Sequence, residues 1–338
     1  MGLFIAIGII ILSSVALFFV GNIFAKCSSR LGDYCNLPRD VKGATFDAIS
    51  SSMPELLVAL YSVIFFHQFE VGIGTIAGSA LFNLLVIPGI AVFVAPVAFK
   101  VSKKVISRDA IFYLFSVIAL ILLLKFFPAW GVGIAVILLA GYLIYLNEVA
   151  KHTKQHRRTK KEIIEAKTSA KKVKKTNTTN DEKKYSVIKD VFLFLGLLII
   201  IGGLTFLLTQ SAINFADILG IAPIIIAFTI IAAATSVPDT IISVANAKRG
   251  DIDDATSNVF GSNVFDIFVG IGLPLLIYSV ISGKVDIVFN NMEIILGLLG
   301  ATIMTIFFFG KNRTLSKKQG VIMLGLYVLF IVYVILLA

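Results

Sequence analysis

The sequence predicts an all-α integral membrane protein: ten transmembrane helices in two inverted five-helix repeats, joined by a basic cytoplasmic loop. Three observations carry this reading. The 338 residues are 58% hydrophobic with a mean hydropathy of +0.95, more apolar surface than a soluble domain of this size can bury. Apolar runs of the length that crosses the hydrocarbon core as a helix recur along the whole chain. Acidic residues within two of those runs belong to blocks that repeat at almost one offset.

The runs lie near 2–25, 40–66, 71–98, 108–127, 129–147, 187–209, 222–246, 255–281, 290–310 and 319–338. None alternates like a barrel strand, and a helix satisfies its own backbone hydrogen bonds in lipid. The first run has no basic leader and stays apolar until Lys26, so it reads as a retained helix rather than a secretory signal. Cys27 and Cys35 fall in the connection after it, which the charge pattern puts in the cytoplasm, where a structural disulfide is not expected. The fourth and fifth runs are divided only by the turn at Phe127, Pro128 and Ala129. The lone Trp130 and the scattered phenylalanines read as packing and interface residues. The chain thus divides into a first repeat, 1–148, a linker, 149–186, and a second repeat, 187–338.

A net charge of +10 would suit a nucleic-acid partner, but its distribution excludes one. Every Lys and Arg except Lys125 and Lys284 falls in an odd-numbered connection between runs. The positive-inside rule then puts the odd connections in the cytoplasm and both termini outside, as expected for a multi-pass plasma-membrane protein. A wrong helix count would scramble this parity. The linker is polar, basic and poor in aromatics, and reads as a flexible, topogenic segment resting on anionic lipid. It has no run of acidic ligands for a calcium sensor, and His152 and His156, though spaced i,i+4, sit among too many cations for a metal site.

The repeat lies in the second and seventh runs. Gly43–Glu55 reads GATFDAISSSMPE and Phe228–Asp239 reads FTIIAAATSVPD. Aligned on the proline–acid pair, Thr45 matches Thr229, Ser51 matches Thr235, Ser52 matches Ser236 and Glu55 matches Asp239. The following runs continue the match, Gly78–Asn83 (GSALFN) against Gly261–Asp266 (GSNVFD). Matched runs are five spans apart, an odd number, so the copies cross the membrane in opposite senses. Inverted repeats of this kind place a site near the midplane, where the halves meet.

Acids inside a span are costly and need a reason. Pro54 and Pro238 cannot donate the helical hydrogen bond and disturb the preceding turn, which frees carbonyls around Ser50–Ser51 and Ala234–Thr235, about one turn from each acid. Carboxylate, hydroxyl and carbonyl oxygens therefore gather at two breaks. Such a set suits a hard cation: calcium takes oxygen ligands in irregular geometry. The absence of His and Cys near the repeats argues against zinc or copper. The blander reading, polar side chains that merely join helices, fits a single acid better than a duplicated one.

At these residues the chain resembles the cation/calcium exchanger superfamily. ATFDAISSSMPEL (44–56), GSALFNLL (78–85), TSVPDT (235–240) and SNVFGSNVFD (257–266) are similar to its potassium-dependent sodium/calcium exchangers. The resemblance implies sodium/calcium antiport by alternating access, with Na+ and Ca2+ as transported ions and no cofactor. It implies that Glu55 and Asp239 are central calcium ligands shared with sodium, completed by backbone oxygens of Ser51 and Thr235. Ser52, Ser79, Ser236 and Ser262 would then serve flanking sodium sites, with Asn83 and Asp266 lining the middle. Aspartate at 266 is the form found in potassium-dependent members, which suggests potassium cotransport, although some prokaryotic relatives carry it without clear potassium dependence.

Two residues depart from the family pattern. Ser50 replaces a frequent glycine. Asp47 stands where an apolar residue is usual, just over two turns before Glu55 and toward the cytoplasmic end. It either lines an inner entrance or adds a proton- or cation-sensitive group, or else is a water-exposed acid near the membrane interface or a partner of Lys42. A calcium/proton antiporter of the same fold is the nearest alternative function; the many hydroxyl oxygens favour sodium over a proton. Enzymatic readings find no support: the sequence has no P-loop, no phosphorylatable Asp motif, and no Gly-x-Gly-Asp motif for an intramembrane aspartyl protease.

Overall fold

A computed structural model describes residues 2–35, 37–168, 180–287, 289–310 and 313–336. Among these, eight continuous helices are long and apolar enough to cross a membrane: Leu3–Tyr34, Phe69–Val94, Lys103–Phe126, Val132–Lys151, Val187–Leu219, Ile252–Ser282, Met292–Gly310 and Lys317–Leu336. A ninth is a bent pair, Pro223–Thr235 and Val237–Lys248, meeting at 44°. The remaining expected run, 40–66, is helical but fragmented, ending in the short apolar helix Met53–Ile64. The break at Ser52 leaves only the 12-residue Met53–Ile64 as its continuous apolar helix.

Helix lengths differ from the apolar runs where polar side chains carry the helix beyond the apolar stretch. The first continues to Tyr34, so Cys27 lies within it rather than in a connection, and its thiol donates to the Asp190 carbonyl at 3.2 Å. Arg30 reaches Asp190 through two bonds, 3.1 and 2.7 Å, clamping this helix to Asn180–Leu219. The linker is helical through Thr168 and again from Asn180. Residues 169–179 and the side chains of 152–186, His152 and His156 included, lie outside the described residues.

Burial separates core from periphery. Phe69–Val94 has 83% of its apolar window buried and Ile252–Ser282 61%, against 22% for Leu3–Tyr34 and 17% for Lys317–Leu336. These two inner helices carry the second block of each repeat. Gly78 and Gly261 explain how closely they pack. A Cβ at Gly78 would strike the Phe228 carbonyl and lie 2.6 Å from the Ala232 methyl, while one at Gly261 would lie 2.8 Å from the Ala44 carbonyl and 3.0 Å from the Ala48 methyl. Phe228 and Ala232 are the repeat counterparts of Ala44 and Ala48, so each motif glycine receives the other repeat's broken helix at the same place.

Other local features recur at matching positions. Gly43–Asp47 and Ala227–Ile231 are both π-helical, and Ser52 and Ser236 break their helices with nearly identical torsions (φ −84°, ψ 4° and φ −74°, ψ 5°). Two antiparallel two-residue ribbons tie the halves together: Phe99–Lys100 with Thr314–Leu315, and Ala129–Trp130 with Val285–Asp286. The second ribbon occupies the turn expected at Phe127–Ala129 and separates the fourth and fifth helices.

Candidate cation site

Each break delivers an acid to the first turn of a new helix. Pro54 and Pro238 start Met53–Ile64 and Val237–Lys248, where a missing N–H costs nothing, and Glu55 and Asp239 follow one residue later. The positive end of each helix dipole faces these carboxylates and offsets part of the cost of burying them. Glu55, Asp239, Asp266, Asn83, Ser51, Ser52, Ser79, Thr235, Ser236 and Ser262 are all fully buried.

Hydrogen bonds draw most of them into two chains. In one, Ser236 Oγ donates to Ser79 Oγ (3.0 Å) and Ser79 Oγ to Glu55 Oε1 (3.1 Å). In the other, Asp239 accepts from Ser262 Oγ on Oδ1 (2.6 Å) and from Asn83 Nδ2 on Oδ2 (2.9 Å), while Ser51 Oγ lies 3.2 Å from Ser262 Oγ. Ser52 Oγ donates to the Ser262 carbonyl at 3.4 Å. The Thr235 hydroxyl bonds back to the Ile231 and Ala232 carbonyls of its own helix. Asp266 lies within electrostatic reach of both Glu55 and Asp239.

Four buried oxygens have no donor: Glu55 Oε2, Asn83 Oδ1 and both carboxylate oxygens of Asp266. Buried acceptors of this kind are rare because their desolvation goes uncompensated. A cation is the partner that would satisfy several at once. Among the described residues, however, no group of three or more His, Cys, Asp or Glu side chains is placed to hold a metal ion. An ion bound here must therefore draw on hydroxyl, amide and carbonyl oxygens beside the carboxylates, and must compete with the donors now on Asp239.

Two contributors were missed in the sequence. Asn263 accepts from Asn83 Nδ2 (3.0 Å) and donates to the Ala80 carbonyl (3.2 Å). Asn258 donates to Ser243 Oγ at 2.9 Å, and its Oδ1 lies 3.5 Å from Ser51 Oγ. Both lie inside a quoted motif, but their positions in the first repeat hold Ala80 and Thr75, so the internal comparison gave no signal. Asp47 is fully buried, which excludes the water-exposed reading, and Lys42 Nζ approaches its Oδ2 at 3.9 Å.

Comparisons with known proteins place this arrangement. A family model described as sodium/calcium exchanger protein matches residues 5–147 and 189–336, nearly the whole chain. An uncharacterized membrane protein of Methanocaldococcus jannaschii is 27% identical over 97% of this chain and 98% of its own length. Human sodium/potassium/calcium exchanger 2 is 35% identical over 43% of this chain, a stretch that covers 22% of that protein. A solved structure of the sodium-calcium exchanger NCX_Mj, 24% identical, superposes over 98% of this chain and 99% of its own with a TM-score of 0.65, which establishes the shared fold. The chain belongs to the sodium/calcium exchanger protein family, whose members are membrane transporters and not enzymes.

Proposed function

We propose that this protein is a secondary antiporter that exchanges sodium for calcium through one central site, by alternating access. The observation that carries the reading is the site itself: two acids at mirrored helix breaks, with four buried oxygens left without donors. Glu55 and Asp239 are the shared ligands, with backbone oxygens of Ser51 and Thr235 beside them. Ser52, Ser79, Ser236 and Ser262 serve sodium, and Asn83 and Asp266 line the middle. Two carboxylates balance one divalent ion or partly balance several monovalent ions, which gives a physical basis for mutually exclusive occupancy.

Family membership supports the ions, and the local symmetry supports the mechanism. Recurring π-helical turns, breaks and glycine contacts are what two repeats of opposite sense would produce. The ribbons agree with ten spans, because each pairs connections of the same parity, the third with the ninth and the fourth with the eighth. In this topology both termini are extracellular and the basic linker faces anionic lipid on the cytoplasmic side. Likeness to sodium/potassium/calcium exchangers and the free carboxylate of Asp266 support potassium as a cotransported ion. Calcium uptake into sodium-loaded proteoliposomes tests the proposal. Uptake that follows an imposed pH gradient and ignores sodium would replace it with calcium/proton antiport.

A further inference from the structure

One motif residue stands apart from the central site. Asp47 is fully buried, and neither of its carboxylate oxygens has a donor within hydrogen-bond distance, the nearby Asn246 amide, itself without a partner on Nδ2, being the neutral group that faces it. Asp254, in the first turn of the helix Ile252–Phe265, is 2% exposed and its Oδ1 is also without a donor. The two acids come from opposite repeats, yet the packing brings them together. A Cβ at Gly43 would lie 2.5 Å from Asp254 Oδ1, so only glycine admits this approach. Asp47, Lys42, Asp251 and Arg249 are the charged groups around Asp254.

Position relative to the central site follows from helix periodicity. Asp47 precedes Ser51 by four residues, and Asp254 precedes Asn258 by four. Ser51 and Asn258 touch at 3.5 Å, so the acid pair lies about one helical turn beyond that contact, on the side where both segments begin. Nearby, a cavity of about 290 Å³ is lined by Lys26, Arg30, Asp33, Asn246 and Arg249 among others. Asp33, on its wall, holds Lys42 Nζ at 2.8 Å. The cavity therefore ends beside the ammonium that partners Asp47.

Charge counting sets the ligand. Lys42 gives its short contacts to Asp33 and Ser29, both 2.8 Å, and only a 3.9 Å approach to Asp47. Asp33 is largely solvent-exposed and screened. Arg249 is turned to Asn246 and Asp251. With both acids ionised, the buried set of Asp47, Asp254 and Lys42 carries one negative charge more than Lys42 balances, with three carboxylate oxygens lacking donors and the half-exposed Arg249 as the other cation acting on both acids. A buried charge without a partner is costly, and one monovalent hard cation would neutralise it.

We propose that Asp47 and Asp254 form a second cation site, taking Na+ at the inner mouth of the pathway, with Lys42 as the tethered cation that the ion displaces toward Asp33. The site would act as a loading station one turn from the central ligands. It rests on the exchange reading for its place on a sodium pathway, but not for its existence.

The test is binding of radioactive sodium to the purified full-length chain. In a Glu55→Gln/Asp239→Asn background, which removes the two central charges, a residual sodium site is expected. Adding Asp47→Asn should weaken it by at least about tenfold through loss of one of two carboxylates, while Asp47→Glu should retain most of the binding. Asp254→Asn gives the same reading should Asp47→Asn fail gel filtration or thermal unfolding. No residual sodium binding, residual binding indifferent to both Asp47→Asn and Asp254→Asn, or a residual site that takes Ca2+ in preference to Na+ would each overturn the proposal. Residual binding that depends on Asp47 in a protein that shows no sodium-driven calcium uptake would leave this site standing and remove the exchange reading.

Discussion

Replacing Arg108 with leucine isolates a buried ion pair whose carboxylate also receives Ser257 from the second half of the chain. Asp109 is fully buried and accepts four bonds: Arg108 Nε and an Arg108 terminal nitrogen at 2.6 and 2.8 Å, Ser257 Oγ at 2.9 Å and Tyr145 Oη at 3.0 Å. Tyr145 also reaches the Ala44 carbonyl at 3.5 Å, at the start of the first broken helix. Arg108→Leu removes both charge-assisted bonds and leaves the carboxylate with two neutral donors. Two unit charges about 4 Å apart interact by about 4 kcal/mol at an effective dielectric constant of 20, and breaking one buried pair from one side typically costs about 3–5 kcal/mol. The same loss is expected here, read by reversible unfolding of the purified protein in mixed micelles. Arg108→Leu/Asp109→Leu should recover a large part of it, since no isolated charge remains. A loss below about 1 kcal/mol for Arg108→Leu, or a double variant no more stable than the single one, would refute the reasoning.

Four further outcomes follow. Glu55→Gln and Asp239→Asn should each abolish exchange in proteoliposomes while the protein keeps its gel-filtration profile; near-normal transport by either would overturn the site. Asp266→Asn should change the sodium or potassium dependence of calcium uptake more than its calcium affinity, and unchanged cation dependence would remove Asp266 from coupling. Gly78→Ala drives a methyl against Phe228 and Ala232 and should destabilise by about 1–3 kcal/mol, measured by thermal unfolding; wild-type stability would contradict the close packing. Arg30→Ala should cost less than about 1 kcal/mol despite its two bonds, because the side chain is half exposed; a loss several times larger would show that the clamp on Asp190 is shielded from solvent.

Much of this was legible in the chain because the membrane constrains it strongly. Apolar runs announce spans, and a repeated proline–acid pair announces a repeated break; the torsions at Ser52 and Ser236 bear out the second. Helix ends were less legible, since polar residues such as Arg30 extend the first helix beyond its apolar run to Tyr34. Contacts between distant residues left no local signal. Arg108 reads as one more basic residue in a connection until Ser257 and Tyr145 are seen around its partner. Asn258 and Asn263 escaped because the repeat is imperfect where they stand. Asp47 stood out by residue type alone, but its neighbour Asp254 lies 207 positions away in the sequence and only the fold joins them.

The central claim is tested most directly by radioactive calcium uptake into proteoliposomes loaded with sodium and diluted into sodium-free medium, with and without potassium. The account predicts calcium accumulation that requires the outward sodium gradient and disappears in Glu55→Gln and Asp239→Asn. Calcium entry at the same rate without sodium inside, or undiminished in those two variants, would contradict it.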